Sequence, residues 1–244
     1  MSKKIVINPF TRISGMLEIS VETDGERVCS AYSSGLMFRG FELMLKGRNP
    51  LDVNYFTERI CGICSTAHSM ASAIALEDSL GIEISEGAKL LRNIIHGCEF
   101  LQNHIRHFYL YSTPDYVKGP DLNPIKPIKD CEYKLPEGEN SRIAENYFKA
   151  IEFSRMAHEM LAIFGGKAPH NHGIVAGGVS VEVTSDKIIK FKSILQEVKY
   201  FVDNSMVPDV YSIAQYYYDC FNTGKGPGNF LSYGVFDNGE DPDS

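Results

Sequence analysis

The residues of this chain best suited to chemistry are two cysteines in the string Arg59-Ile60-Cys61-Gly62-Ile63-Cys64, followed by His68. A Cys-x-x-Cys pair sets two sulfurs where one soft metal ion reaches both, with thiolate as the ligand form. Gly62 gives the backbone between them freedom to turn tightly. A helix is predicted just downstream, and amides at its N-terminus favour thiolate. His68 falls in the first turn of that helix, where its ring is expected to donate an N–H to a ligating sulfur. Arg59 adds a permanent positive charge beside the sulfurs. By spacing alone the pair serves structural zinc, a redox dithiol, another metal or nothing. Zinc would need a second pair or two histidines, with His170 and His172 the candidates.

The other cysteines, Cys29, Cys98, Cys131 and Cys220, are singletons. Cys98 lies on the apolar stripe of a predicted helix and Cys29 in a predicted strand, so both read as core. Cys131 and Cys220 have no evident partner. His104 and His107 have a helical metal-binding spacing but read as a solvated or interface edge. The sequence His170-Asn171-His172 reads as loop shaping or an interface near the cysteine pair, and Tyr216, Tyr217 and Tyr218 as core and interface.

Positioning these residues requires a mainly helical fold with a small N-terminal β region over 1–35. Residues 4–8 form a short apolar run, and 17–23 alternate Leu17, Ile19 and Val21 against polar neighbours, the period of a half-buried strand. Asp24-Gly25 signals a hairpin, with 27–34 returning. A short helix is predicted over 41–46, closed by Gly47. A helix over 66–80 stops at Gly81. Ser85 then caps a long helix whose apolar positions Leu91, Ile94, Ile95, Cys98, Leu101, Ile105 and Phe108 make one stripe. Residues 113–140 are proline-rich and charged, an irregular excursion. Helices follow over 141–164 and from 185 past Phe201, where Pro208 marks a break or restart. A Gly/His-rich loop lies between them at 167–179. Residues 1–244 read as a single portion of a larger fold, with 36–244 mainly helical.

The chain has 244 residues with 43% hydrophobic and 23% charged, the balance of a globular protein with a sizeable core. A formal net charge of −7 argues against a nucleic-acid partner. No run of about 18 apolar residues predicts a membrane span, and the start carries no signal-peptide pattern, so a cytoplasmic location is expected, with co-export on a partner the exception.

The string Arg-x-Cys-Gly-x-Cys-x-x-x-His resembles the N-terminal metal-binding signature of nickel–iron hydrogenase large subunits. The match extends through Asn8-Pro9-Phe10-Thr11-Arg12-Ile13, the block 33–42 (Ser33-Ser34-Gly35 through Phe41-Glu42), Lys46-Gly47-Arg48-Asn49-Pro50, Ala75-Leu76-Glu77 and Gly81-Ile82. It continues through Gly165-Gly166-Lys167, Pro169-His170, Gly177-Gly178-Val179 and the block 228–234, in the family's order. The resemblance implies a nickel–iron centre with carbon monoxide and cyanide on the iron, held by four thiolates. Cys61 would be a terminal nickel ligand and Cys64 a nickel–iron bridge. His68 would hydrogen-bond the bridging sulfur, and Glu42 would help bind a nearby Mg2+ through hard oxygen. The implied reaction is heterolytic cleavage or formation of H2, with electrons passing to an iron–sulfur small subunit. Two departures stand out. Ser14 occupies the place of a family Glu that relays protons, and a hydroxyl does not readily ionise near neutral pH. The family's second cysteine pair, Asp-Pro-Cys-x-x-Cys, is missing from these residues, so a split large subunit completed by a chain carrying that motif is favoured over a truncated or vestigial copy. The rival functions are a non-catalytic hydrogenase-like assembly or electron-transfer-complex subunit and a structural zinc site. The quinone-binding relatives of respiratory complex I have typically lost the cysteines that this chain keeps.

Overall fold

The computed structural model describes residues 2–119, 132–223, 226, 228–231, 235 and 236. The chain divides into two compact units, Met1–Lys46 and Gly47–Ser244. The first unit holds an antiparallel three-stranded sheet in the order β1 (Ser2–Ile7), β2 (Leu17–Asp24) and β3 (Arg27–Gly35). Its register sets Ile5 opposite Val21 and Val21 opposite Ala31, with Ile7 opposite Ile19. Side chains alternate across a strand, so these residues share one apolar face. A bulge at Glu22/Thr23 leads into the Asp24-Gly25 turn, where Gly25 has φ 60°. Cys29, expected in the core, is exposed. It stands on an edge strand whose side chains are almost all open, so the strand reading was right and the burial was not. The short helix α1 (Phe41–Leu45) closes the unit.

The second unit is helical. A short helix α2 (Val53–Thr57) precedes the cysteines, and α3 (Ser65–Leu80) follows them. Helix α3 ends at Gly81, whose φ of 66° lets its amide return to the Glu77 carbonyl. Helix α4 (Glu86–Arg106) starts where Ser85 Oγ accepts the Ala88 amide at 3.3 Å, with Glu86 in the first turn and Arg106 in the last, both favourable to the helix dipole. Helix α5 (Glu137–Gly165) begins four residues before the expected start at 141, behind Pro136, with Glu137 and Glu139 in its first turn. The 113–140 segment is thus helical at its end. Residues 120–131, which include Cys131, lie outside the described residues.

Helices α4 and α5 pack along their lengths, and α6 (Ser185–Phe201) packs on α5, where the rings of Phe153 and Phe201 stack at 4.1 Å. The core between them is built from Ile95, Cys98, Ile105, Ile143, Met160 and Val198, each contributing about 1.5–3 kcal/mol if fully buried and as large as Ile or Met. A π-helical turn over 202–206 carries the chain without a break into α7 (Val207–Tyr216). Pro208 falls in the first turn of α7, so the break expected there does not occur: the π turn just ahead of it keeps the chain helical where the proline amide is missing. The outer side of α7 leaves Val207, Val210 and Tyr211 exposed, and Tyr218 and Phe221 continue the same apolar run beyond it. Of the three tyrosines at 216–218, Tyr217 is buried and Tyr218 is 74% exposed. No described helix is long and apolar enough to cross a membrane.

The predicted Gly/His loop holds a small hairpin, β4 (Ile174–Val175) paired with β5 (Gly178–Val179). Gly173 sits so close to the end of α5 that a Cβ would lie 2.5 Å from the Phe164 carbonyl oxygen. Only glycine fits that approach.

Candidate metal centre

The cysteine turn is bracketed by regular structure. A 3-10 turn over Glu58–Ile60 leads into Cys61, which is extended, and Cys64 is the residue before α3. The Cys64 amide donates to Cys61 Sγ at 3.3 Å, which holds the two sulfur-bearing residues in one turn. Gly62 does not adopt a left-handed backbone, and a Cβ there would meet nothing within 4 Å, so the turn does not require glycine on steric grounds within this chain.

The expected action of the α3 amides on the thiols is not what the structure has. Glu99, buried on α4, takes the Thr66 and Ala67 amides at 2.8 and 3.0 Å. Burial, the hydrogen bond and charge of Cys61, and the Glu99 charge push the Cys64 thiol up to about 12. In the metal-free chain the thiol form is therefore favoured, and a soft cation is what would draw the proton off.

His68 lies in the first turn of α3, and its backbone amide closes that turn on the Cys64 carbonyl at 3.3 Å. Burial lowers its ring pKa. Among the described residues its ring makes no hydrogen bond to either sulfur. Arg59 is partly exposed and donates to Glu58 at 3.2 Å. Glu58 itself is almost fully buried, and burial raises its carboxyl to about 6 against the opposing effects of Ser69 and Arg59. Glu42 stands exposed in the first turn of α1, within the first unit.

Several supporting residues were not anticipated. Asn103 on α4 donates to the Ile63 carbonyl inside the cysteine turn at 3.1 Å. Ser65 Oγ accepts the His170 amide at 2.9 Å, and His170 has a left-handed backbone, φ 62°. This gives the His170-Asn171-His172 segment the loop-shaping contact near the pair that the sequence suggested. Asn54 of α2 donates to the Ile174 carbonyl at 3.4 Å. The sequence carried one usable signal for this layer. Arg92, His96, Glu99 and Gln102 fall at helical spacing on one side of α4, and all four are buried. Polar residues on a buried face need partners, and these have a site to support.

The donor set of the turn is two soft sulfurs. Among the described residues no group of three or more His, Cys, Asp or Glu side chains is gathered to hold a metal ion. His104 and His107 bond within their own helix and turn, to the Phe100 carbonyl and to Ser112. Among the described residues the pair is therefore short of the four donors that a closed metal site needs.

The profile of the nickel-dependent hydrogenase family matches residues 39–129 and 127–244. This chain belongs to that family. It is 41% identical, over 98% of its length, to the periplasmic [NiFeSe] hydrogenase large subunit of Desulfomicrobium baculatum, and covers 48% of that protein. Against the hydrogenase-1 large chain of Escherichia coli K12 the identity is 30% over 96% of this chain and 49% of the relative. An H2-activated Dm. baculatum [NiFeSe]-hydrogenase structure superposes with TM-score 0.92 at 39% identity, covering 98% of this chain and 50% of that one. The D. vulgaris Hildenborough Ni-Fe-Se hydrogenase in the reduced state gives 0.88 at 40%, over 93% and 47%. The chain spans about half the length of these hydrogenases. The mainly helical fold with its small N-terminal sheet is therefore that of the N-terminal half of a hydrogenase large subunit.

Proposed function

We propose that this chain is part of a nickel–iron hydrogenase and supplies Cys61 and Cys64 as two of the four thiolates of its metal site. The observation that carries the reading is the single turn in which the Cys64 amide meets Cys61 Sγ at 3.3 Å, set in a fold of this family. The second pair comes from polypeptide beyond these residues. When bound, the centre, with carbon monoxide and cyanide on its iron, supplies the heterolytic chemistry of H2.

The protein's own contribution is positional. Glu99 and Asn103 fix the turn from α4, Ser65 ties it to the 170 loop, and Arg59, paired with Glu58 just ahead of Cys61, would offer a cation to the sulfurs once a metal holds them as thiolates. His68 is a ring N–H within the first turn, suited to a bridging sulfur once a metal draws the thiols to thiolate. Glu42 offers hard oxygen to Mg2+. An iron–sulfur small subunit takes the electrons, and the assembly resides in the cytoplasm.

The test is to purify the chain with the polypeptide that completes it and with the small subunit, then measure metals and the infrared bands of bound carbon monoxide and cyanide. Nickel with those bands, lost in Cys61→Ser and in Cys64→Ser, supports the reading. Zinc alone points to a structural site, and no metal to an assembly role; either result overturns it. Fractionation of the native cell checks the location.

A further inference from the structure

A buried ion pair lies away from the cysteines and is not needed by the reading above. Arg92 of α4 is 2% exposed and forks onto Glu77 of α3, with Nη1 at 2.9 Å from Oε2. The same guanidinium donates to the Val175 carbonyl at 2.7 Å and the Gly178 carbonyl at 3.1 Å. Glu77 in turn accepts the Gly177 amide at 2.8 Å. Two helices and both strands of the 174–179 hairpin are thereby pinned at one point. Arginine suits this place because its rigid fork serves a carboxylate and carbonyls at once.

The hairpin is one end of a strap. Its other end, 170–173, folds back on the last turn of α5, where the His172 and Gly173 amides both reach the Gly165 carbonyl, at 2.8 and 3.1 Å. Between those anchors the strap touches each flank of the cysteine turn. Asn54, in the helix before the turn, donates to Ile174, and the His170 amide donates to Ser65, the residue after Cys64. Ser72 Oγ donates to Asn54 Oδ1 at 2.7 Å and so locks the first of these contacts to α3.

We propose that the Glu77–Arg92 pair is a remote positioning device for the cysteine turn, acting through the 170–179 strap. It adds no ligand. It fixes the distance between the two segments that enter and leave the Cys61–Cys64 turn, and so the spacing of the two sulfurs. The inference deepens the proposed hydrogenase reading, and its metal readout rests on that reading.

The experiment uses the assembled complex. Arg92→Gln alone strands a buried carboxylate, so the Glu77→Gln/Arg92→Gln double variant carries the test, with Tyr109→Phe as the control. Tyr109 donates to the buried Asp209 at 2.8 Å and packs its ring against Phe108 and Phe201. In the double variant, amide hydrogen exchange is expected to accelerate about tenfold or more at 170–179 and also at 60–68. The carbon monoxide and cyanide bands shift or broaden. Tyr109→Phe lowers the melting temperature and leaves exchange at 60–68 and the bands as in the parent. Unchanged exchange at 60–68 while 170–179 loosens would overturn the coupling. So would an equal response at 60–68 in the Tyr109→Phe control, which would mark a general loss of stability. Should the double variant not assemble, Glu77→Gln, which keeps an amide oxygen for Gly177, is judged by the same comparison. A parent complex without nickel would sink the hydrogenase reading, and hydrogen exchange would still decide the strap.

Discussion

The Glu99 carboxylate caps the Thr66 amide at 2.8 Å, so a charge from one helix closes the first turn of another directly behind the cysteines. Burial raises the Glu99 pKa, and the Thr66 and Ala67 amides oppose that rise. Glu99→Ala leaves two amides of a buried helix end without their acceptor. It is expected to cost about 2–4 kcal/mol, as two unsatisfied donors do. Glu99→Gln, which retains one carbonyl oxygen, should cost less. Thermal melting of the complex checks the order; an alanine variant as stable as the parent would show that the cap is idle.

Glu58 makes stability depend on pH in one direction. Its folded pKa of about 6 lies above the ordinary 4.5, because burial outweighs Ser69, Arg59 and Lys167. The native state therefore holds the proton more tightly, and stability falls as pH rises from 4.5 to about 6, by about 2 kcal/mol in all, before levelling off. Glu58→Gln should remove this slope and raise the melting temperature at pH 7 and above. A variant that melts lower at pH 8 would contradict the assignment.

Glu77 acts in the opposite sense. Burial works against its charge, but the Arg92 hydrogen bonds, the Gly177 amide and the Arg92 charge outweigh it, and its pKa lies below the ordinary 4.5. Its contribution is complete above 4.5 and is lost as pH falls through the lower folded value. Acid titration of melting temperature in Glu77→Gln should lose part of the decline that the parent shows below that pH. An identical acid limb in the two proteins would mean that the pair is not coupled to folding.

Under the proposed hydrogenase function, Ser14 would take the place of the carboxylate relay that the family resemblance implies, and its hydroxyl passes protons only along an existing hydrogen-bonded chain. Restoring the carboxylate with Ser14→Glu is expected to raise H2 turnover and H/D exchange about tenfold or more, the usual scale of a positioned acid–base group. Rates within twofold of the parent, roughly, would mean that protons leave by another route.

Much of this molecule could be read from its residues. The hairpin of the first unit followed from Asp24-Gly25 and the alternation at Leu17, Ile19 and Val21. The start of α4 followed from Ser85, and the end of α3 from Gly81. Those signals are local, because a cap or a turn is settled within a few residues. The early start of α5 was hidden by Pro136 and Gly138, which read as loop until Glu137 and Glu139 are seen against the helix dipole. Cys61 and Cys64 announced themselves by spacing and by the family pattern around them. Glu99, Asn54 and Arg92 did not, because their partners lie 33, 120 and 15 to 86 residues away in sequence. No periodicity encodes a bond of that reach. The most that α4 offered was a row of polar side chains where apolar ones belonged.

The uncovered run along α7 and beyond, with Tyr211 at 72%, Tyr218 at 74% and Phe221 at 61% exposure, also bears on the life of the protein in the cell. Contiguous apolar surface of this kind is the sort that further polypeptide covers. A newly made copy on which this run is still bare displays the sort of greasy strip that chaperones retain and proteases exploit. Until that strip is covered, the molecule is open to capture and degradation whatever the stability of the helices beneath it.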